Sequence, residues 1–134
     1  MTPEAVTPRS DSNAPKRILI VEDEFLIALS TEEALLAEGF DVVGVAATFE
    51  QALSIAERER PDLVLMDIRL ASSRDGVDTA IEIRRRFGLA SLFTSANQDP
   101  ENVARAQVAE PVGWLPKPYN IESLIAAVSK FAAR

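Results

Sequence analysis

The stretch Asp62-Leu63-Val64-Leu65-Met66-Asp67-Ile68-Arg69-Leu70 decides how the rest of the chain is read. Leu63 to Met66 is an apolar run without alternation. That suits a strand buried on both faces, as in a parallel sheet covered by helices. The run stops at Asp67. A carboxylate ending a central parallel strand stands at the edge where open α/β sheets place their ligands. A plainer reading has Asp67 capping the loop that follows, and the choice depends on what else reaches that edge.

Upstream, Arg17-Ile18-Leu19-Ile20-Val21 reads as a first buried strand and also ends on acids, Glu22, Asp23 and Glu24. A helix is expected over about 24–38, with Phe25, Ala28, Leu29, Leu35 and Leu36 as its apolar positions and Gly39 as its stop. A second strand follows over 40–46. Thr48 and Gln51 form a capping box for a helix carrying Phe49, Ala52, Leu53 and Ala56 on one face, and Pro61 breaks it. Downstream of Asp67 come a polar loop over 69–76, a helix over 77–87 stopped by Gly88, and a fourth strand over 90–94. Asp99-Pro100 opens a helix to about 109, with Val103, Ala106 and Val108 as its few apolar candidates. A fifth strand over 112–115 leads to a final helix capped by Asn120, with Ile121, Leu124, Ile125 and Val128 on one face. Residues 1–15 hold Pro3, Pro8 and Pro15 among polar residues and read as a flexible N-terminal tail; residues 16–134 read as one domain.

Strict alternation of five strands and five helices implies an α/β fold with a parallel sheet covered on both faces. A doubly wound, flavodoxin-like order 2-1-3-4-5 is expected. That order sets strands 1 and 3 side by side, so Glu22, Asp23 and Asp67 meet at one edge. Three crowded carboxylates repel one another, and Mg²⁺ offsets such crowding with carboxylates, waters and a phosphate oxygen as ligands. Thr94 and Lys117 close the neighbouring strands at the same edge.

Composition narrows the chemistry. At 134 residues, 47% hydrophobic and 26% charged, the chain suits one globular domain. It has no cysteine and no histidine, which removes thiol chemistry, the commonest general base and soft-metal sites, and leaves an oxygen-binding cation. A net charge of -7 argues against direct nucleic-acid binding. No signal peptide or membrane-inserting run is found, and a cytoplasmic protein is expected.

Taken together, Ile-Leu-Ile-Val-Glu22-Asp23-Glu24, Leu-Val-Leu-Met-Asp67, Thr94-Ser95 and Leu-Pro-Lys117-Pro118-Tyr119 resemble the receiver domain of two-component response regulators, of the single-domain, CheY-like kind. The resemblance runs from Arg17 to the C-terminus. It implies that Asp67 accepts a phosphoryl group from a histidine kinase or a histidine phosphotransfer protein. It further implies that Glu22, Asp23, Asp67 and the backbone carbonyl of Arg69 hold Mg²⁺, that Thr94 hydrogen-bonds the phosphoryl group, and that Lys117 pairs with it. The Lys117-Pro118 bond resembles the family's cis peptide. Thr94 and Trp114 fall at the family's switch positions, and the surface of helix 4, strand 5 and helix 5 would read the switch out to a downstream protein. Beyond self-phosphorylation and slow self-dephosphorylation the family implies no enzyme activity. Arg69 and Ala96 occupy positions that tune phosphate lifetime in the family.

The loop 70–76 departs from the family pattern: it lacks a proline and is one residue longer before Asp75-Gly76. The final helix leaves no room for an output domain, so a single-domain regulator is expected, the alternatives being a receiver cut from a longer regulator or a receiver-like interaction module that is not phosphorylated. A haloacid-dehalogenase-type phosphatase needs a second Asp two residues after its nucleophile, where this chain has Arg69. A flavodoxin needs a Ser/Thr/Gly-rich first loop, where this chain has Glu22-Asp23-Glu24.

Overall fold

The computed structural model describes residues 16–96 and 98–132, and the expected tail over 1–15 lies outside them. Five strands, β1 (Arg17–Val21), β2 (Asp41–Ala46), β3 (Leu63–Asp67), β4 (Ser91–Ser95) and β5 (Gly113–Pro116), form one parallel sheet in the order β2-β1-β3-β4-β5. Between and after them run α1 (Phe25–Ala37), α2 (Phe49–Glu59), α3 (Gly76–Phe87), α4 (Pro100–Ala106) and α5 (Ile121–Ala132). The flavodoxin-like doubly wound order expected from the alternation is the one observed.

Side-chain alternation within buried strands builds two cores. Leu19, Val21, Val64, Met66 and Phe93 face α2 and α3, packing on Ala52, Ala56, Val77 and Ala80. Ile18, Ile20, Leu63, Leu65 and Leu92 face the other way, onto Leu35, Leu124 and Val128 of α1 and α5. All five residues of β3 and of β4 are buried, which is why neither strand alternates in sequence.

The strand boundaries sit one residue later than expected in β4 and β5, so Ser95 rather than Thr94 ends β4. Thr48 and Asp99 cap as expected, Asp75 adds a cap not expected from the sequence, and the Gln51 side chain completes no box on Thr48, accepting instead from the Ala47 N–H at 2.8 Å. Thr48 accepts from the Gln51 N–H at 3.1 Å, Asp75 forms a capping box with Asp78, and Asp99 accepts from the Asn102 N–H at 2.8 Å. Gly88 ends α3 at φ 71°, a left-handed conformation that costs glycine little.

Two helix expectations are corrected. In α1 the buried residues are Ala28, Thr31, Ala34 and Leu35, whereas Phe25 is 74% exposed and Leu29 and Leu36 are exposed as well. The helix is apolar all round, so spacing does not choose its buried face; small residues at 28 and 34 allow the closest approach to the sheet. The helix expected to reach residue 109 ends at Ala106 and tightens into a 3₁₀ turn over Gln107–Ala109. With three residues per turn, Ala106 and Ala109 share the buried side, while Val108 is exposed. Among the described residues no helix is long and apolar enough to cross a membrane.

Candidate functional site

Every strand is parallel, so their carboxyl ends share one edge, and the register sets neighbours there: Asp67 pairs with Thr94, and Thr94 with Leu115. Glu22 follows β1 directly, its N–H donating to the Ala46 carbonyl at 2.8 Å. These positions bring one carboxylate oxygen from each of Glu22, Asp23 and Asp67 within 4.8 Å of one another. Glu22 and Asp67 are buried and Asp23 is exposed.

Lys117 reaches the cluster from the loop after β5. Its Nζ donates to Glu22 Oε1 at 3.1 Å and Asp67 Oδ2 at 3.3 Å. The Lys117 backbone is held by its N–H, which donates to the Ser95 carbonyl at 2.8 Å, and the Lys117–Pro118 peptide is cis. Tyr119 anchors the same loop, sharing a 2.8 Å hydrogen bond with the Thr31 hydroxyl of α1.

The electrostatics follow from burial and crowding. Desolvation, reinforced by the charge of Asp67, pushes the Glu22 carboxyl up to about 7 against the hydrogen bonds it accepts from Glu24 N–H and Lys117. Burial works to lower the Lys117 pKa, but the charges and hydrogen bonds of Asp67 and Glu22 outweigh it and hold the ammonium above the ordinary lysine range. One ammonium among three carboxylates leaves the cluster short of positive charge. An all-oxygen donor set of this kind fits a hard divalent cation such as Mg²⁺.

Asp67 is held in place by its surroundings. Its Oδ1 accepts from the Ile68 N–H at 2.9 Å. Behind its backbone lies Gly76, where an added Cβ would stand 1.8 Å from the Asp67 carbonyl oxygen. The Asp-Gly pair was visible in the sequence, but not this contact. A cleft of about 510 Å³ opens over the site, lined by Asp23, Asp67, Arg69, Ser95, Asp99 and Lys117 among others.

Of the residues singled out in sequence, Glu22, Asp23, Asp67 and Lys117 converge, Arg69 lines the cleft, and Thr94 is buried beside Asp67. Trp114 is elsewhere. It belongs to the core on the α2–α3 face, stacked on Phe93 with ring centroids 4.7 Å apart. Sequence reasoning missed Thr31, Ser72 and Arg105, whose partners are set only by the fold. The Arg105 guanidinium donates to Asp75 Oδ2 at 2.7 Å and tethers α4 to the start of α3.

Comparison with known proteins adds three findings. The family model described as response regulator receiver domain matches residues 18–129. The chain is 37% identical over 128 residues to the transcriptional regulatory protein PdtaR of Mycobacterium tuberculosis, and 36% identical over 114 residues to the phyllosphere-induced regulator PhyR of Methylorubrum extorquens. These matches cover 96% and 84% of the chain but only 62% and 42% of the two relatives. Among solved structures, the signal receiver domain of a modulated diguanylate cyclase from Desulfovibrio desulfuricans superposes with a TM-score of 0.81 at 35% identity, covering 88% of this chain and 94% of that one. A CheY-like receiver domain protein from Methanospirillum hungatei gives 0.81 at 28% identity, covering 89% and 94%.

Proposed function

The chain belongs to the response regulator receiver domain family of two-component signalling, and on that premise we propose that Asp67 is its phosphoacceptor. The observation that carries this reading is the position of Lys117 Nζ between Asp67 and Glu22, 3.3 Å and 3.1 Å away, with Asp23 beside them at the open edge of the sheet. A lysine paired to two acids so close to a wide cleft suits an incoming phosphoryl group better than a purely structural ion pair.

In this reading a carboxylate oxygen of Asp67 attacks the phosphorus of a phosphohistidine carried by a histidine kinase or histidine phosphotransfer protein. The P–N bond breaks, its electron pair leaves on the imidazole nitrogen, and an acyl phosphate forms on Asp67. No general base is needed, because a carboxylate attacks phosphorus without giving up a proton. Glu22, Asp23, Asp67 and the Arg69 carbonyl would hold Mg²⁺, which when bound would supply the charge neutralisation that phosphoryl transfer depends on. Lys117 pairs with the transferred group, and the Thr94 hydroxyl hydrogen-bonds it. Phe25, Leu26 and Leu29 of α1 are exposed and offer the donor protein an apolar footing.

Phosphorylation adds charge and acceptor oxygens beside Thr94. We take Thr94 and Trp114 as the switch and the face of α4, β5 and α5 as the surface read by a downstream protein. Trp114 is well placed for this, since its ring packs on Phe93, the residue preceding Thr94. The receiver is taken to span residues 16–134 and to work in the cytoplasm, contacting proteins rather than nucleic acid or membrane.

Incubation with a small phosphodonor such as acetyl phosphate and Mg²⁺ tests the assignment by intact mass. One phosphoryl group is expected on the parent and none on Asp67→Asn. Retained labelling of Asp67→Asn would mean that another acid is the acceptor. No labelling of the parent by several donors would favour a receiver-like interaction module that is not phosphorylated.

A further inference from the structure

The connection from β3 to α3, residues 68–75, contains neither proline nor glycine, and Arg69, Ala71, Ser73 and Arg74 along it are exposed. A loop with so little buried surface has few means of holding one conformation. Yet it carries the Arg69 carbonyl assigned above to the cation. Its base is closed by the Gly76 N–H, which donates to the Ile68 carbonyl at 2.6 Å. Its middle is fastened to the start of α2. The Ala71 N–H donates to the Ala47 carbonyl at 3.0 Å, and the Arg74 guanidinium lies 4.0 Å over the Phe49 ring.

Ser72 makes the central link. Its Oγ accepts from the Phe49 N–H at 3.0 Å and donates to the Arg74 carbonyl at 2.8 Å. Phe49 is the first residue of α2, and its N–H has no partner within the helix. The helix's own cap, Thr48, serves the Gln51 N–H instead. A single hydroxyl therefore closes the turn of the loop and ties it to a rigid helix. Between Ser72 and Arg69 lie only Ala71, itself bonded to Ala47, and Leu70, packed against the core.

We propose that Ser72 is a positioning residue for the divalent cation: by bonding the loop to the first turn of α2, its hydroxyl sets the place of the Arg69 carbonyl beside Glu22, Asp23 and Asp67. The inference rests on the magnesium-dependent reading of the site. It also makes α2, an element distant from the expected readout face, part of the support of the metal site.

Calorimetric titration of the full chain with Mg²⁺ tests it on the parent, Ser72→Ala and Ser72→Thr, with amide hydrogen exchange of residues 69–74 measured alongside. Loss of the two hydrogen bonds made by the hydroxyl is expected to weaken Mg²⁺ binding about three- to tenfold in Ser72→Ala and to speed exchange of the loop amides. Ser72→Thr, which keeps the hydroxyl, is expected to bind within about twofold of the parent. Parent-like affinity in Ser72→Ala, or equal weakening in Ser72→Thr, overturns the role of the hydroxyl alone. A parent that takes up no Mg²⁺ removes the metal reading and this inference with it.

Discussion

Gly76→Ala is the most discriminating single change. The added Cβ would stand 1.8 Å from the Asp67 carbonyl oxygen, 2.7 Å from the Asp67 carbonyl carbon and 2.8 Å from Ile68 Cα. All three are backbone atoms at the end of β3, so no side chain can swing aside. Reaching the 3.0 Å floor of real Cβ contacts requires a shift of at least about 1.2 Å at the start of α3. That shift breaks the bond from the Gly76 N–H to the Ile68 carbonyl, worth about 1 kcal/mol. It also misaligns the Asp75 cap on the Asp78 N–H, worth about 1 kcal/mol. Residual overpacking adds roughly 1–3 kcal/mol. The expected loss is roughly 3–5 kcal/mol, a fall of roughly 10–20 °C in Tm for a domain of this size. Circular-dichroism melts of the parent, Gly76→Ala and Gly88→Ala measure it. Gly88 has φ 71° and nothing within 4 Å of an added Cβ, so its substitution costs only the left-handed backbone, roughly 1–2 kcal/mol. A Gly76→Ala protein melting no lower than Gly88→Ala would refute the close approach, and with it the claim that this glycine fixes the Asp67 backbone.

Three further outcomes are expected. Because burial and the Asp67 charge push the Glu22 carboxyl from its ordinary 4.5 up to about 7, its contribution is fully present below about pH 4.5 and is lost as pH rises through 7. The Asp75 and Glu82 carboxyls are held low, so their opposite contributions change only below their unfolded values of 3.8 and 4.5, and Lys117 changes only above 10.5. Metal-free protein should therefore be more stable to urea at pH 5 than at pH 8, and Glu22→Gln should flatten that slope; a slope unchanged in Glu22→Gln would exclude Glu22 as its source. Arg105→Ala removes part-exposed pairs with Asp75 and Asp78, so a loss of about 0.5–1 kcal/mol in urea is expected, with faster amide exchange in α4. An α4 whose exchange is unaltered would show that the tether does not restrain it. Trp114 is the only tryptophan, so its emission should change when the phosphate mimic beryllofluoride binds with Mg²⁺, and constant emission under saturating mimic would remove it from the switch.

Local chemistry explains why so much of the fold was legible. Apolar runs, Gly39 and Gly88 stops and the Thr48, Asp99 and Asn120 caps are properties of neighbouring residues. They mark where strands and helices begin and end to within a residue or two, except at the end of α4, which stops three residues early. The alternation of elements then restricts the sheet to few topologies, and polar residues following buried strands mark its working edge. The α1 face was misjudged for an equally physical reason: with apolar residues all round, the sequence carries no phase, and packing on the sheet chose Ala28 and Ala34 over Phe25 and Leu29.

By itself, then, the sequence determined the parallel sheet, the order of its elements and the acids, hydroxyl and amine at one edge, because burial pattern and turn chemistry act over a few residues. Only the tertiary structure decided the distances. Lys117 meets Asp67 across 50 residues and Glu22 across 95, Gly76 presses on the Asp67 backbone, and Ser72 reaches across 23 residues to α2. Such contacts depend on how separate elements pack, and so does the raised pKa of Glu22, since burial and a neighbouring charge exist only once the chain has folded.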